Sequence, residues 1–159
     1  MGLLFIWQED YVIDQGEVDK EHLRLFELAN TFMSIDDPSK ERDSVKDTIK
    51  QLFKFLAAHF KHEEELMKKV AYPCYEEHYA IHRKIIKDMN AAIRKCKTLE
   101  NLVEILKRCM FELVVEHVMK EDQKIARHIE TQKAMDLWAN KKRPTRCHLK
   151  SRSLASADY

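Results

Sequence analysis

Residues 45–67 read VKDTIKQLFKFLAAHFKHEEELM. Val45, Ile49, Leu52 and Leu56 recur at alternating steps of four and three, and the same rhythm then selects His59, Glu63 and Leu66. Spacing of that kind marks the stripe that a helix turns toward the interior of a bundle. An imidazole and a carboxylate therefore stand where the preceding turns place aliphatic side chains. Burying them requires partners, and the neighbouring stretches of sequence supply them.

Pro38, Pro73 and the Lys97-Thr98 junction separate four stretches of helical period, which predict helices over roughly 19–35, 38–70, 73–96 and 98–130. Asp37 followed by Pro38 suits an N-cap and a first helical position, and Thr98 suits the N-cap of the last helix. The inward stripe of the first helix is Val18, His22, Leu25, Ala29 and Phe32. The third helix presents Tyr75, His78, His82, Ile85, Met89, Ala92 and Cys96, and the fourth Leu99, Val103, Leu106, Met110, Leu113 and His117. Every stripe contains histidine. Short connections make successive helices antiparallel, so these polar positions gather toward one end, within a layer about 10 Å deep.

Composition agrees with that architecture. The 159 residues suit one domain, and two Gly, three Pro, 35% charged and 45% hydrophobic residues favour helices over sandwich, barrel or disordered chain. The expected fold is all-α, an antiparallel up-down-up-down four-helix bundle over 1–130 with an N-terminal arm, and a helical and basic extension over 131–159. A formal charge of +1 argues against sequence-independent nucleic-acid binding by the body of the protein. No apolar run approaches the roughly 20 residues of a membrane span, and MGLLFIWQED lacks a basic leader region. Cys74, Cys96, Cys109 and Cys147 form no CxxC pair, which points to reduced thiols and a cytoplasmic setting.

After His117 the stripe loses its rhythm: steps of three or four select Lys120, Glu121 and Lys124, whereas a shift of one selects Asp122, Ile125 and Ile129. Five residues of ideal α-helix leave two side chains about 140° apart, so His117 and Asp122 can share a face only through a π-type widening near 117–122. Glu121 is the competing inward carboxylate.

Five imidazoles and two carboxylates buried without partners would cost several kcal/mol per charged group, against a total stability of about 5–15 kcal/mol. A bound cation resolves the conflict. The pairs His59/Glu63 and His78/His82, each four residues apart, lie about 40° apart on their helices and can aim two donors at one point. Seven donors exceed one tetrahedral zinc site, and the mixed set suits iron or another transition metal, best as two ions bridged by carboxylates. The Glu-x-x-His motif of ferritin-like di-iron bundles is absent, and His62-Glu63-Glu64-Glu65-Leu66 lacks the second histidine of an HExxH hydrolase.

From about residue 6 to residue 130 the chain resembles the hemerythrin family in its bacterial single-domain form. The resemblance rests on IWQEDY, VDKEHLRLFELAN (18–30), HFKHEEELM (59–67), YPCYEEHYAIH (72–82) and HVMKED (117–122). It implies two non-haem iron ions joined by an oxo or hydroxo bridge, with dioxygen as ligand. His22 and His59 would bind one iron and His78, His82 and His117 the other, with Glu63 and Asp122 bridging. The implied function is reversible dioxygen binding for transport, storage, delivery or sensing, with no catalytic residues. Few anionic ligands disfavour high-valent iron, which favours carriage over oxygenase chemistry. A di-iron peroxidase, a nitric-oxide-reacting enzyme and an iron- or oxygen-responsive interaction module are the alternatives.

The family commonly has tryptophan and leucine four and three residues before the last histidine; here Leu113 and Val114 stand there, with Val118 after His117, as the expected oxygen-pocket lining. His62 lies about 60° off the His59 direction, and His128 and His148 lack paired donors, so all three are left outside the ligand set, as solvated groups or outer partners of the ligands. Glu64 and Glu65 read as a solvated face near Lys68 and Lys69, Phe53, Phe55, Phe60 and Tyr79 as packing residues, and Trp7 as a fastener for the arm. In the extension, ETQKAMDLW continues the last helix or forms a short extra one, followed by a basic, poorly ordered tail. Lys141, Lys142, Arg143, Arg146, Lys150 and Arg152 offer contacts to an acidic partner or anionic surface, beside the plainer reading of a solvated terminus.

Overall fold

The computed structural model describes residues 4–40 and 42–142. Four helical rods form an up-down-up-down bundle, with no strand among the described residues. The first three are α1 (Glu17–Met33), α2 (Arg42–Lys69) and α3 (Tyr75–Lys95). The fourth rod is continuous but changes winding: α4 (Leu99–Glu112) passes into a π-helical stretch (Leu113–Glu121) and then α5 (Asp122–Lys141). Both α1 and α3 pack against α2 and α4, which closes the ring. No described helix is long and apolar enough to cross a membrane.

Helix ends follow local chemistry. The Thr98 side chain accepts from the Asn101 amide at 3.2 Å, capping α4 as expected. Pro38, by contrast, does not open α2. The Asp37 carboxylate accepts from the Ser39 amide at 3.2 Å and the Ser39 hydroxyl at 2.5 Å, and its carbonyl accepts from Lys40 N–H at 3.2 Å, so Asp37 closes a turn and α2 begins at Arg42. At the other end of α2, Tyr72 N–H reaches the Met67 carbonyl at 2.9 Å around Ala71, whose φ is +50°. This is the left-handed closure that glycine accommodates without a Cβ penalty. Ala71→Gly is therefore expected to raise stability by about 1 kcal/mol, read as a melting temperature about 2–4 °C higher; a lower one would show that Ala71 is unstrained.

The arm is tied to α1 at both ends. Asp19 gathers the backbone amides of Ile13, Asp14 and Gln15 at 2.7, 3.1 and 2.6 Å, while Asn30 exchanges two bonds with the Phe5 backbone at 2.8 and 2.9 Å. Trp7 lies edge-on to Phe26, ring centroids 5.3 Å apart, confirming its fastening role.

The core is divided. The larger apolar cluster contains Leu25, Phe32, Leu52, Leu56, Met89, Leu106 and Val114. A smaller one contains Val18, Met67, Tyr72, Ile125 and Ile129. Along α1 the order is Val18, His22, Leu25; along α2 it is Leu56, His59, Glu63, Met67; along the fourth rod it is Val114, His117, Asp122, Ile125. A polar layer thus crosses the bundle between two apolar caps that keep water out. At the end of α2, Met67 takes the inward place expected of Leu66, which is half-buried.

Candidate metal centre

The layer contains all seven residues singled out from sequence. His22, His59, Glu63 and Asp122 have no exposed surface, His78 and His82 are 2% exposed and His117 3%. The π-helical stretch is what delivers Asp122: its N–H bonds to the His117 carbonyl five residues back, so both side chains face inward. Glu121 turns outward to Lys124 at 2.6 Å, which settles the choice between the two carboxylates.

Donor atoms crowd one another. Asp122 Oδ2 lies 3.2 Å from His22 Nε2, while its Oδ1 lies 3.3 Å from His78 Nε2 and 3.4 Å from His117 Nε2. Glu63 Oε2 is 3.1 Å from His82 Nε2, and Glu63 Oε1 is 3.7 Å from His78 Nε2. Glu63, His78, His82 and His117 form one group whose ligand atoms lie within 4.8 Å of one another, and His22, Glu63 and Asp122 form a second; Glu63 belongs to both. His59 stands beside the second group, its ring centroid 4.8 Å from that of His22.

These approaches are close without being well-directed hydrogen bonds. Buried and unpaired are both nitrogens of His22, His59 Nε2, both oxygens of Glu63, His78 Nε2, His117 Nδ1 and both oxygens of Asp122. Orphaned polar atoms in a dry layer are costly, and a shared cation satisfies them together. His82 Nε2 and His117 Nε2 face each other at 3.1 Å. Two nitrogens bound to one ion at about 2.1 Å and at right angles would be about 3 Å apart, so the donor set fits a metal.

Without a metal the layer balances charge internally. Burial and the Asp122 charge act to raise the Glu63 carboxyl, but the adjacent His78 and His82 imidazoles prevail and hold it at about 2. Asp122 is likewise depressed against its burial by His117, His22 and His78. Burial opposes protonation of His78 and His22, yet the adjacent carboxylates raise both, His78 to about 10. Burial carries His117 the other way, to about 4, despite the two carboxylates.

Two orienting carboxylates escaped the sequence reading. Glu64, expected on a solvated face, accepts from His82 Nδ1 at 2.9 Å and so directs Nε2 inward. Glu21 accepts from His59 Nδ1 at 3.2 Å and from His62 Nδ1 at 2.6 Å, which makes His62 an outer partner of the layer rather than a member. Burial would raise the Glu21 carboxyl, but these two imidazoles lower it. The signal for Glu64 was faint: eighteen positions separate it from His82, and only the docking of α2 on α3 brings them together. Glu65 does remain on the solvent side, 3.7 Å from Lys61. His128 bonds to the Val70 carbonyl at 2.9 Å, and His148 lies outside the described residues.

Aromatic rings fix the imidazole planes. Phe60 stacks on His82 with centroids 4.0 Å apart, and Phe55 lies parallel to His59 at 6.1 Å. Leu113 and His117 share the wall of a cavity of about 370 Å³ between α3 and the fourth rod, together with Ile85 and Met89. Val114 and Val118 are fully buried in the larger apolar cluster, outside that wall.

Residues 15–129 match the family model described as "Hemerythrin HHE cation binding domain". The chain is 26% identical over 127 residues to the bacteriohemerythrin of Stenotrophomonas maltophilia, covering 80% of this chain and 82% of that one. It is 28% identical over 114 residues to the bacteriohemerythrin of Campylobacter jejuni, covering 71% and 86%, and 24% identical over 117 residues to that of Pseudomonas paraeruginosa, covering 74% and 76%. No solved structure matches. With a four-helix bundle built around a buried histidine and carboxylate layer suited to a metal, and with a family match over most of its length, the chain belongs to the hemerythrin family as a bacterial hemerythrin-like protein.

Proposed function

We propose that the protein binds dioxygen reversibly at two non-haem iron ions held by His22, His59, Glu63, His78, His82, His117 and Asp122. The single observation that carries this reading is the set of unpaired nitrogen and oxygen atoms in the layer, arranged as two donor groups with Glu63 in common. His22 and His59 serve one ion and His78, His82 and His117 the other. Glu63 and Asp122 serve both, the two oxygens of Asp122 facing different histidines. Two ferrous ions held by these residues would supply the two electrons that reversible dioxygen binding requires.

The chain's own residues set the conditions for that exchange. Glu64 and Glu21 hold the Nδ1 protons of His82 and His59, keeping the ε nitrogens free. Removing one such acceptor typically costs 10–100-fold in metal affinity. Glu64→Ala is expected to weaken iron retention by about that factor in competition with a chelator, and retention equal to wild type would reject the orienting role. Leu113, Val114 and Val118 keep the layer apolar, but Leu113 also borders the cavity that reaches His117. Filling that space excludes water and slows proton delivery. Leu113→Trp is accordingly expected to autoxidise more slowly, and an equal or faster rate would dismiss the cavity as the route.

The decisive experiment measures iron per chain, then follows the visible spectrum of the anaerobically reduced protein through cycles of oxygen addition and removal. An absorption band that appears and disappears over several cycles supports a carrier, store or sensor. One irreversible oxidation, or many turnovers of peroxide or nitric oxide, replaces the binder with an enzyme.

A further inference from the structure

Half of α5 projects past the bundle. Every residue from Glu130 to Lys142 is exposed, which at 1.5 Å per residue is about 20 Å of helix. Three large apolar side chains stand on it: Met135, Leu137 and Trp138, at 59%, 65% and 62% exposure. They do not extend the stripe that packs. Ala126 and Ile129 lie in the smaller core cluster, and His128 bonds to Val70. Met135, Leu137 and Trp138 follow those three residues by nine positions each, and nine residues at about 100° bring a helix to its opposite face. The second apolar face thus looks away from the bundle, and no small repacking would cover it.

Charge says what does cover it. Residues 131–159 carry seven Lys or Arg against two Asp or Glu, a formal +5, so with a chain total of +1 residues 1–130 sum to −4. Between Leu137 and Ala157 there is no acidic residue, but Lys141, Lys142, Arg143, Arg146, Lys150 and Arg152 fall there. Lys142 Nζ lies 3.8 Å from the Trp138 ring centroid, so a cation borders the apolar face itself. From Arg143 onward the residues lie outside those described, and only their sequence enters here.

We propose that this extension docks the protein on an anionic lipid surface. Met135, Leu137 and Trp138 enter the headgroup boundary, and Lys141 and Lys142 beside them meet the lipid phosphates and carboxylates, while the net positive charge of the sequence that follows adds to the attraction. A tryptophan with flanking lysines suits that interface, and apolar burial combined with a polybasic segment supplies the two signals that stable peripheral binding requires. The negative bundle is repelled by the same surface, which holds it outward. A second copy of the chain is a poorer occupant, because pairing the two faces would bring two strongly positive segments together. Nucleic acid would satisfy the cations but leave the apolar face in water.

The test uses the full-length iron-loaded protein, sedimented with vesicles of phosphatidylcholine alone or with roughly one-third phosphatidylserine at physiological ionic strength. Binding is expected to be at least about tenfold tighter to the anionic vesicles, and to fall about tenfold in both Met135→Glu/Trp138→Glu and Lys141→Glu/Lys142→Glu. Brominated lipid should quench tryptophan fluorescence in wild type but not in Trp138→Phe, which leaves Trp7 as a reporter of the bundle. Iron content and helicity unchanged in each variant exclude misfolding as the cause. Equal affinity for both vesicle types overturns the proposal. So does anionic binding indifferent to the apolar substitutions, the signature expected of nucleic-acid affinity, or dimerisation without vesicles that Trp138→Glu abolishes.

Discussion

Removing iron from the loaded protein is expected to lower its melting temperature by roughly 10 °C. A ligand present at a thousand times its dissociation constant stabilises the folded state by about 4 kcal/mol, and each kcal/mol moves the midpoint of a chain this long by about 2–4 °C. The structure makes the direction firm, because without metal the layer retains unpaired buried atoms on six residues. Protons report the same exchange. Nearby carboxylates raise the pKa of His22 and carry that of His78 to about 10 in the metal-free layer, so His78 holds a proton at neutral pH and loading must displace it, releasing at least one proton per chain. The sign follows for stability as well. A raised imidazole contributes fully below its ordinary pKa of about 6.5, and its contribution is lost as pH rises through the folded value, about 10 for His78. Metal-free protein should therefore lose stability between those limits. Calorimetry in buffers of different ionisation enthalpy measures the protons, and a melting temperature indifferent to iron would remove the metal from the account of this core.

Glu63→Gln is expected to lower iron affinity by more than about a hundredfold and to abolish retention of the pair. Loss of an outer acceptor already costs 10–100-fold, and Glu63 is the one residue common to both donor groups. The amide keeps the shape but lacks the charge that holds protonated His78 and the neighbouring His82 in place. The metal-free variant should also be less stable above pH 5, since a depressed carboxylate contributes stability above its ordinary pKa, and that is lost as pH falls toward about 2. Elemental analysis after gel filtration reads the iron, and two ions per chain in the variant would show that the groups are independent. Asp122→Asn offers a second reading of the same layer, with loss falling on His22 and His78 together.

Much of this was legible in residue spacing. A stripe at steps of three and four, continued by His59 and Glu63, is a local property of one helix, and four such stripes joined by short links leave few ways to bury them. Even the π-helical stretch could be inferred, because Asp122, Ile125 and Ile129 return to the interior only if one residue is absorbed after His117. Pro38 misled because proline is compatible with either a first helical turn or a tight turn, and the side-chain bonds of Asp37 to Ser39 chose the latter.

What spacing could not supply were relations between helices. Glu64 and Glu21 look like ordinary surface acids within their own helices; their work depends on His82 and His59 arriving from neighbours at bonding distance. The outward turn of Met135, Leu137 and Trp138 likewise acquires meaning only once Ala126 and Ile129 are seen packed on the opposite side. Periodicity records which face of a helix is apolar, since that is an angle along one chain. Which groups meet across that face is a distance between chains segments far apart in sequence, and docking of the rods sets it.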